Sequence, residues 1–407
     1  MNILLINHYA GSPKMGMEYR PYYLAKEWVK NGHNVTILVA SQSHIRSFNP
    51  ILKKDFVDED IEGINYKWIN TPSYSGNGIR RIFNMFRFIQ LGFKYSKSIA
   101  FDVRPDAVIA SSTYPSDNYL ANKIAKMSSA KYIYEVHDLW PLSPMELGNI
   151  SKYHPFILFM QRAENFAYKN ADKVISMLPK TKEHMKLHGL NLSKWSYIPN
   201  GIYLEEWKNN FYLNNKTKKS LLKFKSNYNT VIAYTGTFGI ANALNSFLES
   251  AKLTKEKSIG FVLLGKGPEK NNLENLILKE KINNVLLLDS IEKNEIPSFL
   301  KLCDILYIGL KRQPLFRFGI SPNKLIDYMM ASKPIIQAIE AGNDMVKEIG
   351  CGISIEPENP QAIIDAILKI NSLSYSELSM MERNGRDYVL KNHDYKILAK
   401  RFIEVIS

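Results

Sequence analysis

Short runs of aliphatic, aromatic and β-branched residues alternate with amphipathic stretches along almost the whole chain. In the N-terminal half, Ile3–Asn7, Val35–Val39, Asn65–Ile69, Ala107–Ala110, Tyr132–Val136 and Lys173–Ser176 read as strands. The stretch Tyr19–Lys30 has helical spacing and stops at Asn31-Gly32, where glycine can adopt the left-handed cap conformation. A second series follows: Val231–Tyr234, Gly260–Leu264, Val285–Leu288, Ile305–Ile308, Pro334–Gln337 and Gly352–Ile355, with helices at Leu244–Lys252, Glu295–Leu302 and Pro360–Ile370. Strands alternating with helices predict parallel sheets covered by helices, and two series predict two α/β domains of Rossmann-like type. Between them, Asn209–Asn229 is rich in Lys, Asn and Ser without a clear period and reads as a linker. The expected division is residues 1–205, residues 206–385, and a terminal helix over 386–407 that packs back on the first domain.

Composition narrows the class. At 45% hydrophobic and 23% charged residues, the 407-residue chain has the make-up of a globular protein with apolar material for two cores. No apolar run approaches the ~18 residues of a membrane-spanning helix. Met1 leads directly into a strand-like run, so no signal peptide is expected. The two cysteines, Cys303 and Cys351, are far apart and outside any CxxC pair, so neither a disulfide framework nor a cysteine zinc site is indicated. A formal charge of +14 favours anionic partners, although a lysine-rich codon usage explains the number equally well.

Ligands of open parallel sheets bind beyond the carboxyl ends of the strands, and that rule selects the loops to inspect. After the first strand, Tyr9 to Glu18 contains Gly11 and Gly16 ahead of a helix start, but no GxGxxG, so the nicotinamide fingerprint is absent. After the fifth strand, His137-Asp138 could orient a sugar hydroxyl or handle a proton. The richest segment is Arg317 to Tyr328. There Ser321 reads as an N-cap and Pro322 as the first helical residue, so free amides and Lys324 could hold a diphosphate. Asp327, one turn on and on nearly the same face, suits a ribose diol rather than a phosphate.

With these residues in view, the chain resembles the family 4 retaining glycosyltransferases of the GT-B fold. Gly32-His33-Asn34-Val35-Thr36, Pro199-Asn200-Gly201-Ile202, Gly265-Lys266-Gly267-Pro268-Glu269 and Ala331-Ser332-Lys333-Pro334 follow the family's order. Glu18-Tyr19-Arg20-Pro21 and His137-Asp138-Leu139-Trp140-Pro141 resemble the bacterial branch that builds surface polysaccharide, including N-acetyl-fucosamine transferases. The resemblance implies two Rossmann-like domains whose parallel sheets face a central cleft. It implies Gly11, Gly236, Lys266, Ile291, Ser321, Asn323, Lys324, Leu325 and Asp327 at the donor, His137 and Asp138 in catalysis, and Glu18 and Arg20 at the acceptor. Two departures stand out. The family's pair of glutamates, seven residues apart, is replaced by Gly319 and Asp327. The Arg and Lys common after the first donor-domain strand give way to Thr235-Gly236-Thr237. No metal is expected, because no Asp-x-Asp motif occurs.

The basic charge suggests a surface. Over Ile79–Ala100, the residues Ile82, Met85, Phe86, Ile89 and Phe93 form a stripe expected to dock the helix. Arg80, Arg87 and Lys94 share another face with the extra apolar residues Phe83 and Leu91 nearby, as in an interfacial membrane helix. An ordinary surface helix fits these residues equally well. Pro155–Phe166 is expected to be core. Together these readings give a UDP-sugar-dependent transferase of an N-acetylated amino sugar, acting on an undecaprenyl-diphosphate-linked saccharide at the inner face of the plasma membrane. A 2-epimerase of the same fold and a sugar-binding protein remain as alternatives. A nucleic-acid partner is not expected, since no recognised binding module occurs.

Overall fold

The computed structural model describes residues 1–16, 19–76, 78–208, 212–256 and 258–407. The chain divides into two compact units, Met1–Gly201 with Tyr395–Ser407, and Ile202–Asp394.

The first unit holds an eight-stranded sheet of order β3-β4-β2-β1-β5-β6-β7-β8. Its strands are β1 (Asn2–Ile6), β2 (Asn34–Ala40), β3 (Phe56–Ile61), β4 (Ile64–Ile69), β5 (Ala107–Ala110), β6 (Lys131–Val136), β7 (Lys173–Ser176) and β8 (Trp195–Tyr197). All pairings are parallel except β3 with β4. The central strands are covered on both faces and therefore read as unbroken apolar runs. β3 (Phe-Val-Asp-Glu-Asp-Ile) lies at the edge, and its exposed acids protect that edge from pairing with another chain. Those charges also hid it from a hydrophobic-pattern reading. The terminal helix Tyr395–Ile406 packs on Tyr19–Lys30 through Trp28, whose Nε1 donates to the Ala399 carbonyl at 3.1 Å and whose ring lies 5.1 Å from that of Phe402.

The second unit has six parallel strands in the order β11-β10-β9-β12-β13-β14. They are β9 (Thr230–Thr237), β10 (Ile259–Lys266), β11 (Val285–Asp289), β12 (Ile305–Gly309), β13 (Ile335–Ala338) and β14 (Gly352–Ile355). Alternation along each strand feeds two cores. Ile232, Tyr234, Phe261, Leu263, Ile305 and Tyr307 fill one face, and Val231, Ala233, Val262, Leu264, Leu306 and Ile308 the other. The strand order reverses between β9 and β12, the switch point at which doubly wound sheets bind ligands.

Several elements depart from the sequence-based expectation. The expected linker contains a helix, Asn215–Lys225, begun by Asn214, whose side chain accepts from the Thr217 amide at 2.9 Å. Only Thr217 and Leu221 are buried on it, so it shows almost no apolar period. The boundary expected at residue 386 falls inside the helix Tyr375–Asn392, which belongs to the second unit. The basic segment breaks at Tyr95 into Ile79–Lys94 and Ser96–Val103. Its buried face is Asn84, Met85, Phe88, Leu91 and Gly92, so the docking stripe is rotated from the expected one. Two interactions set that rotation. The Asn84 amide reaches the Pro72 carbonyl at 2.7 Å, and Gly92 lies so close to Leu120 that a Cβ there would fall 2.4 Å from its Cδ2. Leu91 is consequently covered, whereas Phe83 is 61% and Phe86 50% exposed. The helix Pro155–Asn170 is mixed: Ile157, Met160 and Ala163 are core, while Leu158 and Arg162 face solvent.

Candidate active site

In the second unit the strand-end loops converge on one ammonium group. β9 ends in Thr235-Gly236-Thr237, and Gly236 has φ 134°, a backbone conformation that favours glycine. A Cβ on Gly236 would lie 3.0 Å from Lys324 Nζ, and one on Gly265 would lie 1.8 Å from the Gly236 carbonyl oxygen. The absence of side chains there lets the two loops stack and Lys324 tuck beside them. Lys324 donates to the Tyr234 hydroxyl at 2.8 Å and to Asn242 Oδ1 at 3.3 Å, and its Nζ sits 4.3 Å from the centre of the Tyr234 ring. Among the described residues no carboxylate lies within 4.0 Å of this ammonium. Its surface is partly open, yet the surrounding protein displaces enough water to push its pKa down to about 7. A desolvated cation without a counter-ion, at the switch point of a parallel sheet, has the chemistry to hold an anion.

The helix carrying Lys324 runs Asn323–Met330, and Pro322 occupies the cap position with extended backbone. Ser321 therefore lies outside the helix instead of capping it, because the Ile320 backbone is pinned on both sides by the Asn343 side chain, at 2.7 and 3.1 Å. Leu325, expected at the donor, has its side chain fully buried in the core, and its amide donates to the Pro322 carbonyl at 3.1 Å. The amides of exposed Asn323 and of Lys324 are first-turn groups with no intrahelical acceptor. Asp327 is partly buried, and desolvation raises its carboxyl to about 7, with Lys293 acting against the rise and Glu206 with it. Its charged neighbours, the Lys293–Glu206 pair at 2.6 Å, differ from the contacts of Lys324, so the two residues face different parts of the site. Lys266 is exposed at the end of β10, and Ile291, after β11, packs partly on the core. Gly319 has φ 95°, so a glutamate there would be strained; its absence is built into the backbone.

In the first unit the strand order reverses between β1 and β5, and a polar network gathers at that end of the sheet. Glu135, the penultimate residue of β6, is its centre. Ser111 Oγ donates to Glu135 Oε2 at 2.5 Å, and His137 Nε2 lies 2.9 Å from Ser111 Oγ and 3.3 Å from Glu135 Oε2. Arg20 donates to Glu135 Oε1 from Nε at 3.0 Å and Nη2 at 2.9 Å, and also to the carbonyls of Ile198 and Pro199. Burial alone would raise the Glu135 carboxyl, but Arg20 and the hydrogen bonds from His137 and Ser111 outweigh it and hold the pKa at about 2. Arg20 is thus an internal clamp, 3% exposed, and not a group presented to an acceptor. His137 is 9% exposed and Asp138 is exposed. Gly11 is buried, with its carbonyl accepting from the Tyr66 hydroxyl at 2.8 Å. Glu18 lies outside the described residues.

The sequence assigns no role to Ser111, Tyr234 or Asn242, which lie just after β5, inside β9 and in the loop that follows β9. On the basic helix, Arg87 and Lys94 both pair with Asp55, at 3.4 and 3.0 Å, whereas Arg80 is exposed beside Ile79 and Phe83. Among the described residues no helix is long and apolar enough to cross a membrane.

Comparison with known proteins agrees with this architecture. Residues 15–206 match the model for Glycosyltransferase Family 4, and residues 215–388 that for Glycosyl transferases group 1. The "Probable glycosyltransferase WbjE" of Pseudomonas aeruginosa is 21% identical over 355 residues, covering 81% of this chain and 82% of the relative. The crystal structure of Anabaena HepE in complex with UDP and glucose superposes with a TM-score of 0.68 at 14% identity, covering 99% of this chain and 98% of that one. WaaG, described as a glycosyltransferase involved in lipopolysaccharide biosynthesis, superposes with a TM-score of 0.66 at 14% identity, covering 99% of both chains. Two family models end to end on two parallel-sheet units make this chain a GT-B glycosyltransferase, a member of family 4.

Proposed function

We propose that the protein transfers a sugar from UDP-sugar, with retention of anomeric configuration, to a lipid-linked saccharide of a surface polysaccharide. The observation that carries this reading is Lys324: a desolvated ammonium without a carboxylate partner, at the switch point of the second sheet. In this reading the donor diphosphate lies against Lys324 and the amides that open its helix, and Asp327 accepts from the ribose hydroxyls. As the bond to the sugar breaks, negative charge grows on the leaving phosphate. Lys324 and the helix dipole oppose that charge without reorganising, which is where the rate enhancement arises. The leaving phosphate takes the acceptor proton on the face it vacates, so the configuration is retained and no enzyme nucleophile is needed.

UDP as the nucleotide is supported by the HepE complex, and surface polysaccharide by the involvement of WaaG in lipopolysaccharide biosynthesis. An N-acetylated amino sugar as donor and an undecaprenyl-diphosphate-linked acceptor complete the proposal. His137 serves the transferred sugar, its ring oriented by Ser111 and Glu135. The exposed Ile79, Phe83 and Phe86, with Arg80 beside them, form the surface that meets an anionic membrane. Proton NMR of the product tests the mechanism: the new glycosidic bond should keep the anomeric configuration of the donor, and inversion would overturn it. His137→Ala should lower turnover far more than melting temperature, since the ring is held at the rim of the network.

A further inference from the structure

The first unit contains a second cluster of chemically capable side chains, outside the Glu135 network. His184 and His188 are four residues apart on and just after the short helix Lys182–Leu187, a spacing that places both rings on one side. Facing them is Glu164 of Pro155–Asn170. One potential ligand atom from each of the three lies within 4.8 Å of the others, with Glu164 buried and the histidines half-buried. His184 Nε2 is 3.5 Å from Glu164 Oε1, and the two imidazole centres are 4.6 Å apart.

Glu164 is only 1% exposed, and among the described residues His184 is the one basic side chain within 4.0 Å of it. A buried carboxylate needs a compensating cation, and neither lysine nor arginine provides it here. The surroundings also hold the three groups in place. The Tyr168 hydroxyl donates to Glu164 Oε1 at 2.9 Å, and Gln161 Nε2 to Oε2 at 2.6 Å. His188 Nδ1 lies 3.0 Å from Gln161 Nε2 and 3.1 Å from Asn165 Oδ1. Partners of this kind fix ring orientation and leave the second nitrogen for a metal.

We propose that Glu164, His184 and His188 bind one divalent first-row cation, Zn²⁺ being the best match to two imidazoles and a carboxylate. Zinc–ligand bonds of about 2.0–2.2 Å place tetrahedral ligand atoms roughly 3.3–3.6 Å apart. The cluster therefore closes by a little over an ångström on binding. Three protein ligands leave a fourth position for water. The bound ion fastens the short helix Lys182–Leu187 to Pro155–Asn170.

The test uses the untagged full-length chain, stripped with chelator and titrated with Zn²⁺ by calorimetry and with Co²⁺ by visible absorption. One equivalent should bind, with a cobalt d–d spectrum of a four- or five-coordinate N/O site, and zinc should raise the melting temperature. His188→Gln and Glu164→Gln should each abolish stoichiometric binding. Asn165→Ala, which removes only a supporting contact, should weaken it about 10–100-fold. If His188→Gln fails to fold, Asn165→Ala still decides. Absence of stoichiometric binding by the wild type would overturn the assignment, as would undiminished affinity in the ligand variants or in Asn165→Ala.

Discussion

Replacing Arg20 with alanine separates two readings of the same residue. The sequence places Arg20 in a motif associated with the acceptor, where its loss would raise the acceptor KM and leave stability unchanged. The structure buries it against Glu135, with the two side chains 3% and 1% exposed. Truncation then leaves a carboxylate buried without its cation, and breaking such a pair costs about 3–5 kcal/mol. For a unit of this size each kcal/mol shifts the melting temperature by about 2–4 °C, so a fall of roughly 6–20 °C is expected. Adding Glu135→Gln to the variant should recover part of the loss, because the unpaired charge is removed. Arg20→Lys should be intermediate, as it keeps the charge but loses the two-pronged contact. Acidification provides an independent check. In the wild type the Glu135 pKa is lowered to about 2, so its stabilisation is complete above the ordinary glutamate value of 4.5 and is lost as pH falls through 2. In Arg20→Ala only the Ser111 and His137 hydrogen bonds still oppose burial, so the carboxyl rises and its penalty eases as pH falls. The stability gap between the two proteins should therefore narrow toward low pH. Differential scanning calorimetry from pH 2 to 8 measures this, since the wild-type loss falls below pH 4.5. A melting temperature within about 2 °C of wild type, with a raised acceptor KM, would refute the clamp and restore the acceptor role.

Two further outcomes follow from the same structure. Burial lowers Lys324 to about 7, and a bound diphosphate favours its charged form, so UDP binding above pH 7 should take up a proton. Affinity should then fall by up to about tenfold per pH unit between pH 7.5 and 9, with proton uptake visible in buffers of different ionisation heat; a flat profile would count against Lys324 as the phosphate ligand. Because Arg87 and Lys94 share Asp55, a variant carrying Arg80→Ser, Phe83→Ser and Phe86→Ser should lose more sedimentation with anionic vesicles than Arg87→Ser with Lys94→Ser. Equal sedimentation of the two variants would sink that ranking.

What the sequence made legible was whatever depends on local period. The buried strands of both sheets are near-continuous apolar runs and were readable, as was the helix bearing Lys324, since Pro and Lys mark a helix start. Elements whose faces are set by tertiary contacts were not. Asn215–Lys225 has few apolar contacts and looks like solvated chain. The rotation of Ile79–Lys94 depends on Asn84 bonding to a distant carbonyl and on Gly92 admitting Leu120, neither of which a helical wheel contains. At the site, residue type and strand-end position pointed to Lys324, Asp327 and His137. The partners that define their chemistry lie far away in sequence: Tyr234 stands 90 residues from Lys324, and Arg20 stands 115 from Glu135. Arg20 shows the cost of this blindness, because a motif can reveal that an arginine belongs to a site without revealing whether it faces ligand or protein.

The central claim is that the second unit holds the donor nucleotide through Lys324, and calorimetric titration of UDP into wild type and Lys324→Ala tests it most directly. A charge-assisted contact contributes about 1.5–3 kcal/mol, so the variant should bind roughly ten- to 150-fold more weakly. Its melting temperature should not fall, because the alanine removes an ammonium that has no carboxylate partner. Equal UDP affinity in the two proteins, with both folded, would contradict the account.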